Sequence, residues 1–261
     1  RMDAVCRYGV LLIFCIAANT PAVVGQHPPA NGAEPQARKS LTAARTTAPI
    51  RLDGLLDEAE WQGVEPTSGF VQAEPTEGKP ATENTEVRLL YNEENLYIGV
   101  SCHDEKGANI IVNSLKKDFG NNNTDTFEVI LDTYQDGRNG YLFVTNPEGA
   151  KRDVQTTDEG RTSNQDWDTV WDVRAHMNGD GWTAEMVIPF KSLSFDETRP
   201  EQVWGINFSR RIRRKNEIDF WAPIPRRYDI TRLSLAGGLQ GLQEIHRVRN
   251  LRVKPFVVEE L

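Results

Sequence analysis

The sequence predicts an all-β protein, a β-sandwich with one short N-terminal helix. Three observations carry that prediction. Apolar residues alternate with a period of two through one segment after another, as they do in strands buried on one face. Turn chemistry separates the segments: Asn92-Glu93-Glu94-Asn95, Asp136-Gly137 and the Asn-Gly-Asp-Gly run at 178–181. A single early stretch, Asp53 to Gly63, has helical character, and the sequence has no long amphipathic repeat.

In chain order, Asp57 is the expected N-cap of that helix, and Gly63 its end. Thr85 to Tyr91 and Asn95 to Asp104 then read as a hairpin. Asp125 to Asp132 and Gly140 to Asn146 form the next pair. In the first of these, Phe127, Val129 and Leu131 take the core face, while Glu128 and Ile130 take the other. Thr169 to Met177 and Gly181 to Pro189 make a third hairpin, with Trp182, Ala184, Met186 and Ile188 on one side. Val203 to Ile212 and Glu217 to Pro223 make a fourth. Trp61, Trp171, Trp182 and Trp204 sit in or beside apolar periodic segments and are core candidates.

The flanks differ from this body. Arg1 and Arg7 precede a short apolar run, Tyr8 to Ala18, with small residues near Gly25, so residues 1–25 read as a signal peptide. The expected location is therefore the periplasm, outer membrane or exterior. Residues 26–46 are polar and rich in Pro and Ala, the composition of a flexible linker, with order expected from about Ala48. The sandwich is expected over 47–243, and 244–261 reads as the start of a following domain, cut short. Removal of the signal peptide leaves Cys102, which cannot staple anything by itself and is expected in the core.

The net charge of -8 argues against nonspecific nucleic-acid binding. The basic residues concentrate between Arg210 and Arg232; for the run 210–214, a solvated sheet edge with Glu217 and Asp219 as acidic partners competes with a site for an anionic sugar, a lipid headgroup or a partner barrel. The acidic stretch 121–143 admits three readings. As an EF-hand it fails, because Tyr134 and Phe143 occupy positions that need oxygen ligands. Calcium held by scattered carboxylates stays open, with Asp104, Asp125 and Asp132 as candidate ligands. A glycosidase pair of Glu128 and Asp132 would lie about 13 Å apart along a strand, too far for that chemistry. A hairpin that leaves Glu128 on a sheet face, where a ligand can lie, accounts for the stretch most economically.

Four motifs resemble carbohydrate-binding module family 9, in the variant that precedes an outer-membrane domain of uncharacterised function. They are IRLDGLLDEAEW, TEVRLLYNEENLYIGVSCHDE, DTFEVILDT and GWTAEMVIPFKSL. The resemblance implies a calcium-containing sandwich of jelly-roll/immunoglobulin-like type that binds xylan- or glucan-type oligosaccharide, with an outer-membrane barrel domain as a further partner. It also implies a sugar clamped between two aromatic rings and fixed by polar side chains. Glu128 matches the family carboxylate. Tyr228 falls at one clamp ring, and Trp221 upstream at a core position. The other ring falls near Asn122, where Phe119 is the nearest aromatic, and the family arginine falls near Val144. Trp167, in the polar run SNQDWDTVW, and Trp221, beside PIPRRY, are the tryptophans with the best prospects of lining a ligand surface.

Non-catalytic sugar binding is thus the leading expectation. Its alternatives are an interaction domain on a barrel protein, a haem module using Met177, Met186 or His176, and part of a glycoside hydrolase.

Overall fold

The computed structural model describes residues 38–247, apart from 106–108, 114 and 121–122. Among the described residues, fourteen strands form two facing sheets. The first strands are β1 (Ser40–Thr42) and β2 (Ala44–Arg45), followed by helix α1 (Ala59–Gln62) and β3 (Val71–Glu74). Then come β4 (Thr85–Tyr91), β5 (Asn95–His103), β6 (Thr126–Asp132), β7 (Gly140–Thr145), β8 (Lys151–Thr157) and β9 (Thr162–Asn164). The last are β10 (Asp172–Asn178), β11 (Gly181–Pro189), β12 (Glu201–Ile212), β13 (Glu217–Phe220) and β14 (Gly237–Gln243).

The larger sheet runs β1-β14-β12-β6-β7-β8-β9. The long strand β12 serves two neighbours on one side. Its first half pairs with β14 and its second half with β13, which carries β3. The smaller sheet runs β10-β11-β5-β4-β2. All pairs are antiparallel except β1 with β14 and β2 with β4. The all-β sandwich expected from the sequence is therefore the fold.

Strand parity builds the core. Phe127, Val129 and Leu131 of β6 face Leu96, Ile98 and Val100 of β5 and the inward row Trp182, Ala184, Met186 and Ile188 of β11, all fully buried. The four candidate core tryptophans are buried as expected. On the outside of the smaller sheet, α1 lays Trp61 over β5. Gly99 makes this approach possible, because a Cβ there would stand 3.1 Å from the Trp61 ring. Cys102 is buried in the core, and burial pushes its thiol up to about 12. A thiol reagent at neutral pH is expected to leave Cys102 unlabelled in a folded chain whose Cys6 and Cys15 are replaced by serine, and to label it once denaturant unfolds that chain. Labelling of Cys102 in the folded chain would contradict this placement.

Four expectations need correction. The stretch 26–46 does not stay a linker throughout, since β1 and β2 lie at 40–45 and add a strand to each sheet. Ala43 between them is buried, so the segment is held by burial as well as by pairing. Asp57 does not cap α1; Glu58 holds that position without a side-chain bond, and Asp57 lies 3.8 Å from Arg51 instead. The expected sandwich end at 243 is too early, because Ile245 is buried in the same core and Glu244 pairs with Arg45. Strands β3, β8, β9 and β14 also join the sheets without having been expected. The expected signal peptide lies outside the described residues, as does all of the tail beyond Arg247.

Candidate functional site

The larger sheet has a second face, turned away from the sandwich core. Register places Phe220, Ser209, Glu128, Val144 and Arg152 in one row across five strands, each paired with the next. Neighbours in such a row share a face. One row along the strands lie Ile130, Leu142 and Val154. This apolar ground is completed by Phe119, Ile224 and Ile230, which fold onto it as a second buried cluster.

A cavity of about 940 Å³ opens on this face. That volume is within the usual range for small-ligand sites. Glu128, Ser209, Arg152 and Arg211 bring polar atoms to its floor, while Leu142, Val154, Ile218 and Phe220 supply apolar surface. Residues 226–232 form one wall, including Tyr228. Glu128 is nearly buried, and Thr126 Oγ1 lies 3.5 Å from its Oε1. The arrangement combines apolar patches with a few fixed polar groups and suits a ligand with both C–H faces and hydroxyls.

The expected site residues are not all brought together. Glu128 and Tyr228 both line the cavity. Phe119 lies in the apolar cluster of the same face but is buried, at 4% exposure. Trp221 belongs to the opposite side of the sheet. It is 1% exposed in the sandwich core and donates from Nε1 to Thr67 Oγ1 at 2.7 Å. Trp167 packs on Tyr141 and Phe143, which face the core, at 5.0 and 6.1 Å between ring centroids. Neither tryptophan reaches the cavity. The Tyr228 ring itself is attended by the guanidiniums of Arg227 and Arg232, at 4.8 and 4.6 Å from its centroid. An open two-ring clamp is therefore not what these residues build. The family arginine expected near Val144 has a neighbour in its place, since Val144 pairs with Arg152 of β8. That residue went unnoticed in the sequence because β8 carries almost no apolar alternation.

The candidate calcium ligands separate as well. Asp125 and Asp132 stand at opposite ends of β6, roughly 23 Å apart at the usual rise per residue. Asp132 accepts the backbone N–H groups of Asp136 and Gly137, at 3.1 and 2.7 Å, and so closes the hairpin turn. Asp104 accepts a fork from Arg214, which also pairs with Glu83. A protein cation thus stands between those two carboxylates. Asp125 accepts the Arg213 N–H with one oxygen; the other is buried without a hydrogen-bond partner. Calcium takes six to eight oxygens. Among the described residues no three His, Cys, Asp or Glu side chains are placed to hold a metal, and the three aspartates do not converge on one ion.

Residues 52–217 match the family model for "Carbohydrate family 9 binding domain-like". The chain belongs to that family. Solved structures agree on its fold. A family 9 module from Caldicellulosiruptor kristjanssonii, solved with cellotriose, is 16% identical; the match covers 83% of this chain and 100% of that one, with a TM-score of 0.56. The glucose complex from the same organism is 15% identical over 83% and 100%, with a TM-score of 0.53. A Bacteroides uniformis protein assigned to carbohydrate binding is 14% identical over 79% and 100%, with a TM-score of 0.63. No curated protein sequence matches the chain.

Proposed function

We propose that this family 9 domain binds carbohydrate without catalysis, in the cavity on the outer face of its larger sheet. One observation supports this most: Glu128, where the motif resemblance puts the family carboxylate, lies nearly buried on the floor of that cavity, among apolar side chains. Membership of the family and the sugar complexes named for two structural neighbours point the same way. The proposed ligand is a xylan- or glucan-type oligosaccharide. Its hydroxyls would meet Glu128, and its ring faces the apolar ground around Leu142 and Phe220. The apolar N-terminal run supports export, which would place the domain at the cell envelope, in support of polysaccharide breakdown or uptake.

A second reading, an interaction domain without sugar, is favoured by the Tyr228 ring. Two guanidiniums already lie over it. Calorimetric titration with xylo- and cello-oligosaccharides separates the two. Saturable heat is expected from the wild-type chain, with a loss of affinity on the order of tenfold or more in Glu128→Ala, the size of one charge-assisted hydrogen bond. A folded wild-type chain that gives no heat across the panel supports the interaction reading instead.

A further inference from the structure

We infer that the outer-face cavity takes an acidic saccharide, one whose ring carries a carboxylate. This rests on the carbohydrate reading above and adds the charge of the ligand. Six arginines line the cavity against four carboxylates. Three of the acids are engaged within the wall. Glu74 pairs with Arg226, and Glu159 with Arg232. Asp229 accepts from the N–H and hydroxyl of Thr231. The fourth, Glu128, is engaged too and lies on the floor, on the strand between those of Arg211 (β12) and Arg152 (β8).

These two arginines differ from those of the wall. Both rise from sheet strands and are partly buried. Neither makes an ion pair with a described residue, and Arg211 Nε is buried without a hydrogen-bond partner. Nε itself has no open surface, so a ligand meets this guanidinium at its terminal nitrogens, which are not buried. A carboxylate fits the planar guanidinium fork with two parallel hydrogen bonds, which a neutral hydroxyl cannot supply. Arg211 is therefore assigned the carboxylate, with Glu128 beside it accepting from ring hydroxyls. Arg152 lies three strands from Arg211, about 15 Å at the usual spacing, so it acts on a neighbouring sugar unit or through the field of the cavity.

Glucose and glucuronate differ only at the carbon that carries the carboxylate, which makes them the probes. Binding of each to the full chain would be followed by NMR at low and at high ionic strength, with acetate as a control. Glucuronate is expected to bind about tenfold more tightly than glucose at low salt, equivalent to roughly 1.4 kcal/mol. High salt should narrow the gap. Arg211→Gln should abolish the preference, and Arg152→Gln should reduce it. Equal or tighter binding of glucose by the wild type overturns the inference and leaves the carbohydrate reading standing. So does a preference that survives both substitutions. Acetate perturbing the same residues to the same extent would mark a bare anion site and also overturn it. If neither sugar binds a chain shown by circular dichroism to be folded, both readings fail together.

Discussion

Asp219→Asn is expected to stabilise the protein at pH 8 and to leave its stability unchanged near pH 4. Asp219 is fully buried on β13, and neither of its carboxylate oxygens has a hydrogen-bond donor. Its register partner Arg210 spends its guanidinium elsewhere, on the carbonyls of Asn84 and His103 and on Thr85 Oγ1. Glu217, two residues back on the same face, is occupied by the N–H and hydroxyl of Thr82, both at 2.7 Å. Burial, and then the nearby Glu217 charge, push the Asp219 carboxyl up to about 8. The native chain therefore holds this proton between about pH 4 and 8, while the unfolded chain releases it near its ordinary value of 3.8.

Across that window the native state binds the extra proton, so the contribution of Asp219 to stability falls as pH rises. Below it both states are protonated and nothing is lost. Asparagine has no proton to lose, and its amide can donate to Glu217 as the neutral acid does. The difference between variant and wild type should be near zero at pH 4. It should grow to several kcal/mol by pH 8, at about 1.4 kcal/mol for each tenfold difference in proton affinity between the native and unfolded states. Urea unfolding at the two pH values measures it. Parallel pH profiles for the two proteins would mean that Asp219 is ionised in the native state.

Glu185→Ala is expected to be the most damaging single change outside the inter-sheet core. Glu185 sits on the outward face of β11, yet it is 1% exposed. Its Oε2 accepts the backbone N–H groups of Asp53 and Gly54, at 2.9 and 2.8 Å, and its Oε1 accepts Trp61 Nε1 at 2.9 Å. One carboxylate thereby fastens the Asp53-Gly54 turn and the α1 tryptophan to the smaller sheet. It also links two of the sequence motifs, the first around Asp53 to Trp61 and the last around Glu185. Alanine would leave three donors without an acceptor and a gap beneath Trp61. The cost should be about 3 to 5 kcal/mol, or a fall in melting temperature of roughly 10 °C for a domain of this size. A loss below about 1 kcal/mol would show that solvent replaces the carboxylate without penalty.

The sequence showed the long hairpins clearly and the short edges poorly, for physical reasons. Strands of seven to nine residues such as β4, β5 and β11 complete several periods of alternation. Two or three residues, as in β1 and β2, complete none, and their partners are far away in the chain. Glu128 was legible because strand parity alone puts it opposite Phe127 and Val129. Arg152 was not, since it reaches the row of Glu128 through the pairing of β7 with β8, which no local pattern reports. The aromatic candidates misled for a related reason. Phe220 and Trp221 are adjacent, so they point to opposite sides of the sheet, and the sequence does not say which side is the cavity. Trp167 stands in a polar run yet finds the aromatic edge of Tyr141, a contact set by tertiary packing.

The most direct test of the central claim is a residue-resolved NMR map of the full chain titrated with cellotriose. Binding in the outer-face cavity predicts shifts that concentrate at the amides of Glu128, Arg152, Ser209 and Tyr228, with the smaller sheet undisturbed. Shifts confined to the smaller sheet, or none at all on a folded chain, would contradict it.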